Sequence, residues 1–157
     1  MMRMVCKGRN DRMDTPLMEM QALYQAYVDK ALKLEQERQP GQGLLGFGAK
    51  PADDPCHEIF VQQMKETASA FARQGLPSQD AQAMIGFMLH APHMYREPQS
   101  VYWTLVAAQA AALPLIERIG KEDAARLQQK FARDFRPWQR LPVQKEVFRA
   151  LEKRKKG

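Results

Sequence analysis

The chain has 157 residues, of which 45% are hydrophobic and 27% charged, and its net charge is +6. That length and balance fit one globular domain and exclude wholesale disorder, while nine Gly and ten Pro exclude a fibrous or low-complexity chain. Two Cys are too few for a disulfide framework.

The start of the chain is basic but leads into no apolar run and no small-residue cleavage site, which argues against a secretory signal. Met13 opens a segment, MDTPLMEMQ, that reads as a natural beginning. Residues 1–13 are therefore expected to be a disordered extension, 14–152 a helical domain and 153–157 a basic disordered tail that contributes almost nothing to folding. The most apolar stretch, 101–116, is interrupted by Thr104, Gln109 and Pro114. It falls short of the roughly 20 apolar residues a spanning helix needs, so no membrane association is expected and the location is expected to be cytoplasmic.

The first helix is expected to start at Thr15 as N-cap, with Pro16 in the first helical position. Leu17, Met20, Tyr24, Tyr27, Val28, Ala31 and Leu34 follow at three- and four-residue spacing, one apolar stripe, until Pro40 and Gly41. Residues 39–54 form a Gly/Pro-rich connection in which Leu44, Leu45 and Phe47 can pin the loop to the core. Asp54 then caps a second helix, with Cys56, Phe60, Met64, Thr67 and Phe71 on one face and Gly75 as its terminating residue. Ser78 is expected to cap a third helix, with Ala81, Met84, Ile85, Met88 and Leu89 inward and Pro92 ending it. Gly86, inside that helix, points to a close approach of another helix.

A fourth helix, about 99–119, is apolar nearly all round and is expected to be central, with a kink at Pro114 against the carbonyl of Ala110. A fifth covers about 122–135, with Ala124, Leu127, Phe131 and Phe135 inward, and a sixth starts at Pro142, with Val143, Val147, Ala150 and Leu151 inward. No strand-like alternation occurs in the sequence. The expected fold is an all-α, single-domain bundle of five to six helices.

Few residues carry chemistry. Gly41, Gly43 and Gly46 match the dinucleotide-binding spacing, but they follow a helix and Pro40, whereas that motif needs a preceding strand and an immediately following helix. Cys56 lies in the first turn of a helix, where exposed N–H groups favour a thiolate, and His57 is beside it as a candidate base. Adjacent helical side chains diverge by about 100°, and Cys56 also falls on an apolar face. Cys56, His57, His90 and His93 are the available zinc ligands, though His90 and His93 bracket Pro92 at a helix end in no recognised spacing. Glu58 and Glu66 share a helix face without the Glu-x-x-His pattern of a di-iron bundle. Nothing in the pattern calls for a cofactor.

The charge is uneven. Residues 121–157 hold twelve basic and five acidic groups, whereas 15–120 hold eight basic and eleven acidic. Arg126, Lys130 and Arg133 share a face of the fifth helix, Arg136, Trp138 and Arg140 follow in the turn, and Lys145, Arg149, Lys153 and Arg154 lie on the sixth. Two short helices around a turn, the second basic, are a candidate nucleic-acid surface, although RPWQRLP is long for a helix-turn-helix turn. Ten Met, together with Tyr24, Tyr27, Phe60 and Phe71, have two readings, core filling, the commoner use, and a surplus over what one small bundle buries; on the second a homodimer is expected. The resulting expectation is a non-enzymatic interaction or regulatory module with an unidentified protein partner. Nucleic-acid binding through the basic C-terminal helices is the alternative, and a small thiol- or metal-dependent enzyme centred on Cys56 and His57 is the third.

Overall fold

The computed structural model describes residues 15–37, 55–95 and 99–157. They form six helices: α1 (Pro16–Glu37), α2 (Pro55–Arg73), α3 (Ser78–Met94), α4 (residues 99–116), α5 (Lys121–Asp134) and α6 (Pro142–Lys156). No strand occurs among the described residues, and the architecture is an all-α helical bundle. The 1–13 extension and the 39–54 connection, including Gly41, Gly43, Gly46 and the Asp54 cap, lie outside the described residues.

Local chemistry explains most boundaries. The Thr15 hydroxyl accepts a hydrogen bond from the Met18 amide at 3.1 Å, the N-cap that the sequence predicts. Gly75 ends α2 by taking the left-handed conformation, φ +80°, which a residue with a Cβ adopts only at a cost. Ser78 is no cap: it is already the first helical residue, and no side chain caps α3. Pro92 does not end α3 either, since the helix continues to Met94 with the proline ring buried. Burial of that ring in the core offsets the lost ladder bond, and the Gln109 amide donates to the Leu89 carbonyl at 3.2 Å in the turn that Pro92 loosens.

The central helix also departs from expectation. In place of one kinked helix over 99–119, α4 is an α-helix over Gln99–Ala108, a 3₁₀ turn over Gln109–Ala112 and a last α-turn over Leu113–Ile116. Pro114 has no N–H for the Ala110 carbonyl, and the Leu113 amide supplies the bond from one residue earlier, which is 3₁₀ spacing. The expected tail is a further correction, because residues 153–156 form the last turn of α6. Lys155 and Lys156 pair with Glu152 at 3.4 and 3.2 Å, and Arg154 Nε donates to the Ile119 carbonyl at 2.7 Å.

One buried cluster draws on all six helices. Val101, Leu105, Ala108, Ala111, Ala112 and Leu115 place α4 at its centre, packed on α2, α3 and α6. Four of the methionines and most of the aromatic residues counted with them are absorbed here, while Met18 and Met94 are exposed. Tyr24, Tyr27, Phe60, Met20, Met64, Met84 and Met88 are all buried, and Phe71 packs against the cluster. Gly86 is near Leu127 of α5, but a Cβ there would sit 3.7 Å from Leu127 Cδ2, ordinary contact that does not require glycine.

Tyr24 packs edge-on to Phe60 and Phe87, with centroids 5.0 and 4.8 Å away. Its hydroxyl is buried without a hydrogen-bond partner among the described residues, and burial holds its ionisation far above the ordinary phenol range. Tyr24→Phe removes that unpaired group and keeps the ring. It is expected to stabilise the fold by about 1 kcal/mol, or about 3 °C in Tm by calorimetry.

Candidate functional site

The first turn of α2 sends its two candidate residues to different neighbours. His57 Nδ1 lies 2.8 Å from Thr104 Oγ1 on α4. Because the Thr104 hydroxyl donates to the Ser100 carbonyl at 3.0 Å, the imidazole must be the donor in the first contact, which fixes its proton on Nδ1. That nitrogen is therefore committed to α4 and does not serve the thiol as a base. Cys56 instead lines a groove between α1 and α2.

This groove is built by matching positions on two helices. Leu23, Ala26, Tyr27 and Lys30 line it from α1, and Cys56, Ile59, Phe60 and Gln63 from α2, around a space of about 200 Å³. Both sets follow the three-, four- and seven-residue spacing of one helix face. Tyr27 and Phe60 stack at 4.4 Å between centroids and form an aromatic floor. Ile59 stands on the lip, 66% exposed. Beside it a shallow shoulder carries Glu58, Gln62 and Glu66. Glu66 accepts from Gln62 at 3.1 Å, and among the described residues no cation pairs with either carboxylate.

The histidines near the end of α3 belong to a different place. His93 Nε2 donates to the Asp134 carbonyl at 3.2 Å and its ring stacks on Phe135 at 4.7 Å. His90 Nδ1 lies 3.8 Å from the Asp134 carboxylate. Among the described residues no group of three or more His, Cys, Asp and Glu is arranged to hold a metal ion. Cys56, His57, His90 and His93 thus do not converge, because they sit at the start of α2 and the end of α3 and each set contacts its own neighbours.

The nine basic residues of the candidate nucleic-acid surface divide into two groups. Arg126 pairs with Asp123, Arg140 donates to the Phe135 carbonyl at 2.9 Å and lies over the Phe148 ring at 4.0 Å, and Arg154 is bonded to Ile119. These arginines act within the fold. Lys130, Arg133, Arg136, Lys145, Arg149 and Lys153 are exposed, with no carboxylate partner among the described residues. Lys145, Arg149 and Lys153 repeat every four residues along the outer side of α6, opposite Val147 and Leu151. Between α5 and α6, the 3₁₀ turn Pro137–Gln139 presents Trp138, 78% exposed.

Glu152 closes the packing of α5 on α6. Its carboxylate accepts from the Gln128 amide at 2.6 Å, and this bond, followed by the pairing with Lys156 and Lys155, holds its pKa below the usual carboxylate value. A lowered folded-state pKa means that the contribution is present above the unfolded value and is lost as pH falls through the folded one. The Tm difference between the native chain and Glu152→Gln is therefore expected to be largest near neutrality and to shrink as pH is lowered through the carboxylate range.

Comparison with protein-family models, with curated proteins and with solved structures finds no match to this chain. Sequence reasoning singled out Cys56 and Trp138 but not Ile59. The available signal was an isoleucine next to buried Phe60, off the apolar stripe of α2. No helix among the described residues is long and apolar enough to cross a membrane.

Proposed function

We propose that this chain is a non-enzymatic interaction module whose α1–α2 groove takes an apolar side chain of a protein partner. Ile59 carries the reading. An aliphatic side chain that is 66% exposed adds little to the fold. Burying its exposed two thirds against a partner is worth roughly 1–2 kcal/mol. The stacked Tyr27–Phe60 floor gives the incoming group a firm apolar base, and Glu58 and Glu66 on the shoulder favour a partner with a cation beside its apolar residue. The space, about 200 Å³, is below the roughly 300–1,000 Å³ of small-molecule sites and suits one large side chain.

Cys56 reports occupancy of the groove. In a Cys6→Ser background it is the one thiol in the chain. Free indole, as a probe, is expected to slow maleimide labelling of Cys56 saturably and to shift the Ile59 methyl resonances. Labelling rates and methyl shifts that stay constant up to the solubility limit of indole would remove the reading.

The unpaired Lys145–Arg149–Lys153 stripe favours a second reading, nucleic-acid binding on the outer side of α6. Counterion release then predicts a log–log salt slope that flattens by up to about 2.7 when all three become Ala, at about 0.9 per phosphate contact on duplex DNA. Absence of duplex binding at about 50 mM salt would end that reading, since phosphate contacts are strongest at low salt.

A further inference from the structure

We propose that the occupant of the α1–α2 groove is Trp138 of a second copy of this chain. The inference rests on the interaction-module reading above and names its partner. Trp138 and Ile59 have the highest exposure, 78% and 66%, among the exposed large apolar side chains of the described residues. One is a projecting knob and the other the lip of a groove. Tryptophan is highly buried on average in folded chains and is enriched among the residues that dominate interfaces.

The knob is held for presentation. Pro137 fixes the backbone before it, Gln139 Oε1 accepts from the Arg136 amide at 3.1 Å, and Arg140 is anchored on Phe135 and Phe148 on the other side. A side chain on a pre-set turn loses little freedom on docking. The groove supplies an apolar seat, with Leu23, Ala26 and the exposed Ile59 standing above the stacked Tyr27–Phe60 pair.

Charge fixes the pairing further. Arg136, at the start of the turn that carries the knob, has no carboxylate partner among the described residues, and Glu58 and Glu66 beside the groove have no cation there. Trp138 is too exposed to occupy the groove of its own chain. Knob and groove lie on different elements, so each contact joins unlike surfaces and each copy offers one of each; two such contacts between the same two copies close a dimer, and contacts passed from copy to copy give rings or chains.

Such a contact predicts a complementation that a contact between like surfaces cannot give. Trp138→Ala keeps the groove and loses the knob; Ile59→Lys keeps the knob and places a cation on the lip facing Arg136. Both positions are exposed, so both variants are expected to keep the helical circular dichroism of the native chain. By sedimentation velocity at about 0.5 mM, where small interfaces are populated, the native chain is expected to rise in mass with concentration. Each variant alone is expected to stay at 18.0 kDa, and their equimolar mixture to form a species of twice that mass and stop there. Indole added to the mixture is expected to dissociate it.

A monomeric native chain, a variant that assembles alone as the native chain does, or a mixture that stays monomeric would overturn the proposal. Slowed Cys56 labelling by indole together with a monomeric mixture overturns only the assignment to Trp138 and leaves the groove as a docking site. No effect of indole removes both. Single-stranded DNA bound through Trp138, with no assembly, would assign the indole to base stacking and equally overturn the proposal.

Discussion

Phe131→Ala is expected to lower the unfolding free energy by about 3–5 kcal/mol, the range for truncating a fully buried aromatic. Phe131 is 1% exposed, meets Phe135 edge-on at 5.3 Å and lines the α3–α5 contact beside Gly86, Leu89 and His90. Removing its ring leaves a cavity between two helices that Phe135 and Leu127 hold apart, so little collapse is available. Urea denaturation reads the loss as a lower midpoint at constant slope. Trp138, seven residues later and larger, is the control. Its truncation is expected to change stability by less than about 0.5 kcal/mol, the usual range for an exposed site. That contrast separates the aromatic that builds the bundle from the one that leaves it.

Gln144→Leu is expected to cost about 1–3 kcal/mol although it adds apolar volume to the core. Gln144 is 1% exposed and Gln109 fully buried. The Leu141 amide donates to Gln144 Oε1 at 3.1 Å, Gln144 Nε2 donates to Gln109 Oε1 at 3.0 Å, and Gln109 Nε2 donates to the Leu89 carbonyl. This chain of amides ties the start of α6, the 3₁₀ turn of α4 and the loosened end of α3. Leucine at 144 strands the Leu141 amide and the Gln109 oxygen away from water. Gln109→Leu alone strands its partners in the same way, so the double variant is expected to lose less than the two single losses added. A double-mutant cycle reads the difference as a coupling of about 0.5–3 kcal/mol.

The bundle was legible because helical burial repeats along the chain. Met20, Tyr24, Tyr27 and Val28, and later Ala124, Leu127, Phe131 and Phe135, face inward as their spacing predicts. Prolines were harder to read. Pro92 and Pro114 both break the backbone ladder, yet α3 runs on past a buried Pro92 and α4 shifts to 3₁₀ spacing before Pro114, outcomes set by packing and not by the local sequence. The last turn of α6 was missed for a similar reason, because its stability comes from Ile119 and Glu152 and not from apolar residues of its own.

The candidate site was less legible than the core. The helical period of α2 separates Ile59, off the stripe, from Phe60 on it, but a groove exists only once two helices are set side by side, so the pattern does not say what Ile59 borders. His57 was read with Cys56 because they are neighbours in sequence, whereas its partner Thr104 is 47 residues away. Trp138 was read with the cations around it, and its exposure is a property of the turn between α5 and α6.

The most direct test of the account is the Tm of the native chain and of Ile59→Lys, measured by calorimetry from about 10 µM to about 1 mM, a span that brackets weak association. If Ile59 serves a contact between copies, the two Tm values agree within about 2 °C at the lowest concentration, as for an exposed substitution. The native value then rises with concentration while that of the variant stays level. A variant lower by the same margin at every concentration would make Ile59 a residue of the core, and a native Tm independent of concentration would contradict the contact itself.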